Sequence, residues 1–351
     1  MKILPTSGNI NYSSVKKIPF VFLLLFAPQV HAEELEKLRI NRAIESGLRI
    51  VQKGAENYPN NRECFSCHHQ TLPMLAMREA SQAGISIDEE LMQEQIHFIR
   101  DYFEDRVESV TEGKSVGGRS LTAGYLLWSF ELGGVKKDQF TDAFVSYLLH
   151  HQKKEGNWDV QTNRPPSEES KIHTSYFAIN YMNYYARGES IEKKVKEATE
   201  KSRSWILGSK PYSQEDFNGK LKALIALDAP AQEIKKARQD LLQRQQEDGG
   251  WAQLPEMESD AYATGQTLYT LITSIGSSER DAEFVKAIKR ARSYLISTQK
   301  DDGSWFVKSR SKPIQKFFDN GDPHGKDQFI SISATSWATA ALAKYFSTKV
   351  P

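Results

Sequence analysis

The pattern Gln-x-x-x-Gly-x-Trp occurs three times, at Gln152 to Trp158, Gln245 to Trp251 and Gln299 to Trp305. Three copies with identical internal spacing mark a repeat protein, whose units bury their apolar faces against one another. Gln245 lies 93 residues after Gln152 and Gln299 lies 54 after Gln245. A unit of about 45 to 50 residues therefore fits if a degenerate copy sits between the first two. The glycine is expected to stop a helix in left-handed backbone. The tryptophan would cover the next helix, and the glutamine would bond a free helix end. The helix after each copy opens on Thr174-Ser175, Thr264-Gly265 or Thr335-Ser336; a fourth such start, Thr122-Ala123, lacks the preceding motif.

Helical periodicity predicts six hairpins: 35–57 with 69–83, 87–111 with 119–133, 137–153 with 171–187, 190–208 with 214–228, 231–246 with 260–275, and 280–299 with 329–347. Almost no stretch alternates as a strand does. Six αα-hairpins closed head to tail leave no terminal apolar face exposed. The expected fold is thus all-α, an α/α toroid or (α/α)6-like barrel, with an open solenoid as the competing arrangement. In a toroid all outer-to-inner connections share one face. Two of them, 159–170 and 306–328, have lengths at which loops tend to carry function.

Lys16 and Lys17 precede an apolar run from Ile18 to Ala27, followed by Val30-His31-Ala32. This pattern predicts a signal peptide over 1–32 and one toroid domain over 33–351, exported to the periplasm or the cell exterior. The run of about 10 residues is too short for a membrane span of roughly 20, so no transmembrane segment is expected. Removing 1–32 leaves 43 basic against 45 acidic side chains, which argues against a nucleic-acid partner.

The only two cysteines stand in Cys64-Phe65-Ser66-Cys67-His68-His69. Cys-x-x-Cys-His is the pattern by which two thiols capture a haem and the adjacent imidazole takes its iron. One covalent haem c is expected at Cys64 and Cys67, with His68 as the proximal ligand. A disulfide or redox pair remains the alternative, and zinc would want two further ligands. Of the other histidines downstream, His69, His97, His150, His151, His173 and His324, the distal candidate is His324, in the loop that ring closure brings beside the first repeat. Arg164, Glu168, Glu169, Lys326 and Asp327 fall on the same face, where a basic group would suit haem propionates. The inner helices also carry Tyr125, Trp128, Tyr176, Phe177, Tyr181, Tyr184, Tyr262, Tyr269 and Trp337. These rings serve either as core or as the lining of an apolar cavity.

The three Gln-x-x-x-Gly-x-Trp copies resemble the repeat of squalene-hopene cyclases in the terpenoid cyclase and protein prenyltransferase superfamily, over about residues 35–347. Cys-x-x-Cys-His-His in the first repeat, Arg164-Pro165-Pro166, Ser259 to Gly265 and Gly325 to Ser331 resemble a bacterial subgroup of it. The resemblance implies an α/α toroid. Class II cyclases of the superfamily protonate an alkene with an aspartic acid from Asp-x-Asp-Asp. Here Glu258-Ser259-Asp260-Ala261 lacks the following carboxylate, so Asp260 is a candidate acid or simply a helix cap. Prenyltransferase zinc needs Asp, Cys and His together, and both cysteines lie in the first repeat. The expected role is electron transfer or haem-dependent redox chemistry with a redox partner protein or an apolar small molecule. The alternatives are a non-redox terpene cyclase or isomerase acting on a polyprenyl substrate, and a non-catalytic binding toroid with a Cys64–Cys67 disulfide.

Overall fold

A computed structural model describes residues 23–274, 276, 281–312 and 316–348, with side chains from residue 34 onward. Most of the expected signal peptide lies outside the described residues. The described residues up to Arg39 group as one unit and those from Ile40 onward as a second, the compact body. Among the described residues the regular structure is helical, with isolated bridges at Arg164–Glu168 and Trp251–Asp260. No described helix is long and apolar enough to cross a membrane.

All six expected hairpins are present. Helix α1 (Leu23–Asn57) precedes α2 (Leu72–Gln82); α3 (Glu89–Glu104) and the short α4 (Val107–Thr111) precede α5 (Arg119–Leu132); α6 (Gln139–His151) precedes α7 (Lys171–Tyr185). Helix α8 (Glu189–Gly208) then leads to α9 (Gln214–Ala226), α10 (Ala231–Gln243) to α11 (Ala261–Thr273), and α12 (Ala282–Thr298) to α13 (Gln328–Ser347). The second outer helix breaks at Arg106, whose guanidinium stacks 4.1 Å over Tyr102. A π-helical turn, Cys67–Thr71, runs directly into α2, so the inner segment begins at Cys67 rather than at 69.

Helices α2, α5, α7, α9, α11 and α13 touch in that order, and α13 meets α2, which closes the ring. Position follows composition. In α8 only Val195, Ala198, Ser202 and Ile206 are buried, whereas α13 is buried almost throughout Gln328–Ala343. The small residues of α13 permit close approach: a Cβ on Gly265 of α11 would lie 2.7 Å from the Ala338 backbone nitrogen.

The three repeat motifs act as clasps, with two roles exchanged relative to expectation. Each indole N–H, and not the glutamine, reaches the helix end. Trp158, Trp251 and Trp305 donate to the carbonyls of Leu148, Leu241 and Leu295 at 2.7 to 2.8 Å. Those carbonyls lie in the final turn of each outer helix; Leu241 and Leu295 also accept a backbone N–H there, from Arg244 and Gln299 at 3.2 Å. The glutamine amides instead span neighbouring repeats: Gln152, Gln245 and Gln299 donate to the carbonyls of Ala198, Ala287 and Ala43. The hydroxyls that receive the tryptophan backbone N–H are Ser175, Thr264 and Thr335, which lie inside their helices rather than opening them.

Gly303 shows why the motif needs glycine, since its φ is +94° and a Cβ there would meet Ser46 O at 2.7 Å. Gly303→Ala should lower unfolding free energy by about 2–4 kcal/mol. Gly84, with φ +82° and open space around it, should lose only about 1 kcal/mol on the same change. Equal losses in urea denaturation would refute the close contact as the cause.

Candidate functional site

The cysteine motif leaves α1 and enters the π-helical turn. Cys64 Sγ lies 3.3 Å from the Tyr58 hydroxyl, and both cysteines are unpaired thiols. His69 is buried, stacked on Tyr58 at 4.8 Å, with Phe318 and Phe329 beside it. His68 packs 5.1 Å from Phe329, and its Nδ1 lies 3.0 Å from Ser66 Oγ. Burial, assisted by Arg164, holds His68 down to about 3, so it is neutral. Burial, with the Glu168 charge, pushes the Cys67 thiol up to about 12.

The tautomer follows from the neighbours. Asn320 Oδ1 accepts from the Asp322 N–H, which aims the Asn320 amide nitrogen at His69 Nε2. His69 therefore presents Nδ1–H to His68 Nδ1, and the His68 proton resides on Nε2. Two thiols three residues apart and a neutral imidazole match a c-type haem in donor type. Iron ligation through Nε2 would require the His68 proton to move to Nδ1, beside Ser66 Oγ, and the His69 contact, which now donates to that nitrogen, to rearrange with it.

The sixth loop does meet the first repeat, through Asn320, Phe318 and the Lys316 carbonyl, which accepts from Arg62. His324 is directed elsewhere: its Nε2 bonds Ser304 Oγ at 2.8 Å and its ring lies 5.2 Å from Phe306, within the sixth clasp. His151 bonds Gly113 O in the second loop, and His173 faces the buried Glu215.

Loops three, five and six lock together over this end of the ring. Arg164 pairs with Glu168 at 2.6 Å, and Ser311 Oγ donates to Pro165 O at 2.8 Å. Arg310 bridges Glu169 at 2.9 Å and Gln253 at 2.7 Å. Gln253 in turn donates to Asp260 Oδ2 at 2.9 Å, while Asp260 Oδ1 caps α11 by accepting from the Ala263 N–H. Asp327 Oδ1 takes the Ser309 N–H. Below this layer Glu215 accepts from Gln266 at 3.0 Å and from the Tyr262 hydroxyl at 3.2 Å.

A cavity of about 360 Å³ opens at the opposite end, between the C-terminal halves of the inner helices. Trp128, Tyr176, Tyr181 and Tyr269 line it, and Lys222 of α9 projects among them. Its rim is charged. Arg78 pairs with Glu131 at 2.7 Å, Lys344 with Glu79 at 3.1 Å, and the Tyr269 hydroxyl donates to Glu79 at 2.8 Å. Tyr184, grouped with the inner aromatics by the sequence, is half exposed and stands outside this lining. A larger hollow of about 630 Å³ beside α12 is an open groove on the outer surface, lined by Lys286, Lys289 and Arg290. Sequence reasoning missed Glu215 and Lys222, because α9 belongs to a repeat without a clasp motif.

No family profile matches the chain, and no curated protein matches it in sequence. Similar solved structures exist. The type II terpene cyclase MstE from Scytonema, in complex with merosterolic acid A, superposes with a TM-score of 0.58 at 14% identity, covering 89% of this chain and 99% of that one. A possible member of the GH105 family from Klebsiella pneumoniae gives 0.54 at 13% identity, covering 86% and 92%. A second, from Salmonella enterica, gives 0.56 at 12%, covering 85% and 93%. The shared feature is the α/α-toroid fold, as expected from the repeats.

Burial pushes the Asp260 carboxyl up to about 6, although Ala263 and Gln253 donate to it. A carboxyl raised above its unfolded value adds stability below about pH 4, and that stability is lost as pH rises through about 6. Asp260→Asn keeps a capping side chain and removes the titration. Relative to this variant, the native protein should lose about 2 kcal/mol between pH 4 and 7. Parallel pH profiles in chemical denaturation would contradict this.

Proposed function

We propose that the central cavity binds an apolar molecule of the isoprenoid class that carries a polar head group. The observation that carries this reading is the aromatic-walled cavity of about 360 Å³ with ion pairs at its rim. That volume lies at the small end of ligand pockets, roughly 300–1,000 Å³, and suits a short prenyl chain. The wall would take the chain, and the rim would take the head group. The toroid of MstE supports the reading by analogy of fold, since it was captured with geranylgeranyl dihydroxybenzoate as substrate.

Proton-initiated cyclisation is not part of the proposal. It asks for a protonated carboxyl aimed into the cavity. Glu79 and Glu131 are engaged in ion pairs at the rim, and Asp260 caps α11 at the far end of that helix. The Lys222 ammonium would also repel a carbocation at close range. Farnesol should quench tryptophan fluorescence saturably, and Ile225→Trp, at the exposed mouth, should weaken binding by about tenfold or more without changing the melting temperature. Absence of saturable quenching, or quenching indifferent to Ile225→Trp, would reject the cavity as the ligand site.

A second reading rests on the first repeat. We propose that Cys64 and Cys67 hold one haem c through thioethers, with His68 on the iron and Ser66 orienting its ring. The neutral His68 beside two unpaired thiols favours it. A bound haem would supply one-electron transfer to a redox partner protein at the loop face, in the exported compartment that the leading segment implies. Production with export and haem-attachment machinery should give a haem absorption spectrum and an intact mass raised by one haem, both lost in Cys64→Ala/Cys67→Ala. A mass two hydrogens below the reduced chain would mean a disulfide and end this reading.

A further inference from the structure

We propose that Lys222 is a nucleophilic amine that condenses with the carbonyl group of an aldehyde or ketone ligand in the central cavity. The inference rests on the cavity being a ligand site and adds the chemical class of that ligand.

The cavity treats its cations unequally. Arg78 and Lys344 at the rim are each neutralised by a carboxylate, Glu131 and Glu79. Lys220, on the same helix as Lys222, donates to the carbonyls of Leu207 and Ser209 outside the cavity. Lys222 has neither kind of partner among the described residues. Its Nζ instead lies 5.0 Å from the Trp337 ring centroid and 5.6 Å from that of Tyr176. Ring faces stabilise an ammonium weakly compared with water or a carboxylate, so the charged form is disfavoured.

Electrostatics agree with the geometry. Burial lowers the Lys222 ammonium to about 8, with Glu215 two turns earlier on the same helix partly opposing the shift. The other groups around the cavity are the two rim ion pairs and the phenols of Tyr176, Tyr181 and Tyr269, each kept protonated by burial. Near pH 8 about half of the side chain is free base, whereas an ordinary lysine, with a pKa of about 10.4, is almost wholly protonated. A desolvated lysine of this kind is what carbonyl condensation requires.

The step balances without an oxidant or reductant. The amine lone pair adds to the carbonyl carbon, forming a C–N bond. One proton moves from nitrogen to oxygen, giving a carbinolamine. The hydroxyl then leaves as water with a proton drawn from solvent, as the nitrogen lone pair forms the C=N bond of a protonated imine, whose N–H proton returns to solvent to leave the imine.

The test uses farnesal as the probe and sodium cyanoborohydride as the trap, read by intact mass and peptide mapping. The expected result is one dominant reduced adduct on the peptide containing Lys222, with a rate half-maximal near pH 8, slowed by farnesol. Lys222→Met and Lys222→Arg should each lose it, and the arginine variant keeps the charge if the methionine variant fails to fold. Labelling spread evenly over surface lysines, or a dominant adduct surviving both changes, would overturn the proposal. If farnesol quenches fluorescence saturably but farnesal gives no Lys222 adduct, the imine inference falls while the ligand reading stands. If farnesol does not bind yet acetaldehyde labels Lys222 selectively, the ligand reading falls and the reactive amine stands.

Discussion

The rest of the structure depends on the clasp between a buried tryptophan and the last turn of the preceding outer helix. A helix end leaves carbonyls without donors, and burying them uncompensated would cost on the order of 1–3 kcal/mol each. The indole N–H bonds a carbonyl of that turn, at Leu241 and Leu295 alongside a backbone N–H, and its ring is fully buried in all three copies. The glutamine then ties that corner to the next repeat. At the sixth clasp the next repeat is the first: Gln299 bonds the Ala43 carbonyl, 256 residues earlier, so the contact that orders neighbours also closes the ring.

Closure makes the two ends of the toroid unequal. The outer-to-inner connections include 152–170, 244–260 and 299–327, whereas the inner-to-outer ones, such as 133–138, 186–188 and 227–230, are short. Long loops at one end have enough chain to fold over the opening, and Arg310, Gln253, Glu169 and Ser311 fasten them to one another. Short turns at the other end cannot cover it. The cavity therefore opens where the inner helices finish, among Arg78, Tyr269 and Lys344, and the cysteine motif lies at the covered end.

The architecture was legible because period and motif carry it. Hairpin boundaries came within a few residues except at the start of α1, which begins at Leu23 rather than 35, and the sixth loop lies beside the first repeat as expected. What failed to show in the sequence was direction. The Gln-x-x-x-Gly-x-Trp spacing does not say which polar group takes which carbonyl, and glutamine and tryptophan exchanged roles. Loop proximity selected His324, but Ser304 holds that side chain and Asn320 makes the contact with His69. Lys222 was invisible for a related reason. Lys220-Leu221-Lys222 belongs to no motif, and only the folded ring turns the second lysine toward the axis while the first bonds loop carbonyls.

The axis itself is filled, which decides how the two ends relate. Tyr125 lies 4.5 Å from Phe177 and 6.0 Å from Trp128, and Trp128 lies 5.9 Å from Trp337, which packs 5.8 Å from Tyr269. Tyr125, Phe177, Trp128 and Trp337 are all buried. Offset and edge-on ring packing of this kind contributes about 0.5–1.5 kcal/mol per pair beyond the area buried, so opening a passage would break several such contacts at once. The toroid is thus two separate environments on one scaffold rather than a channel. Among the described residues this ring stack stands between the cavity beside Lys222 and the end that holds Cys64, Cys67 and His68.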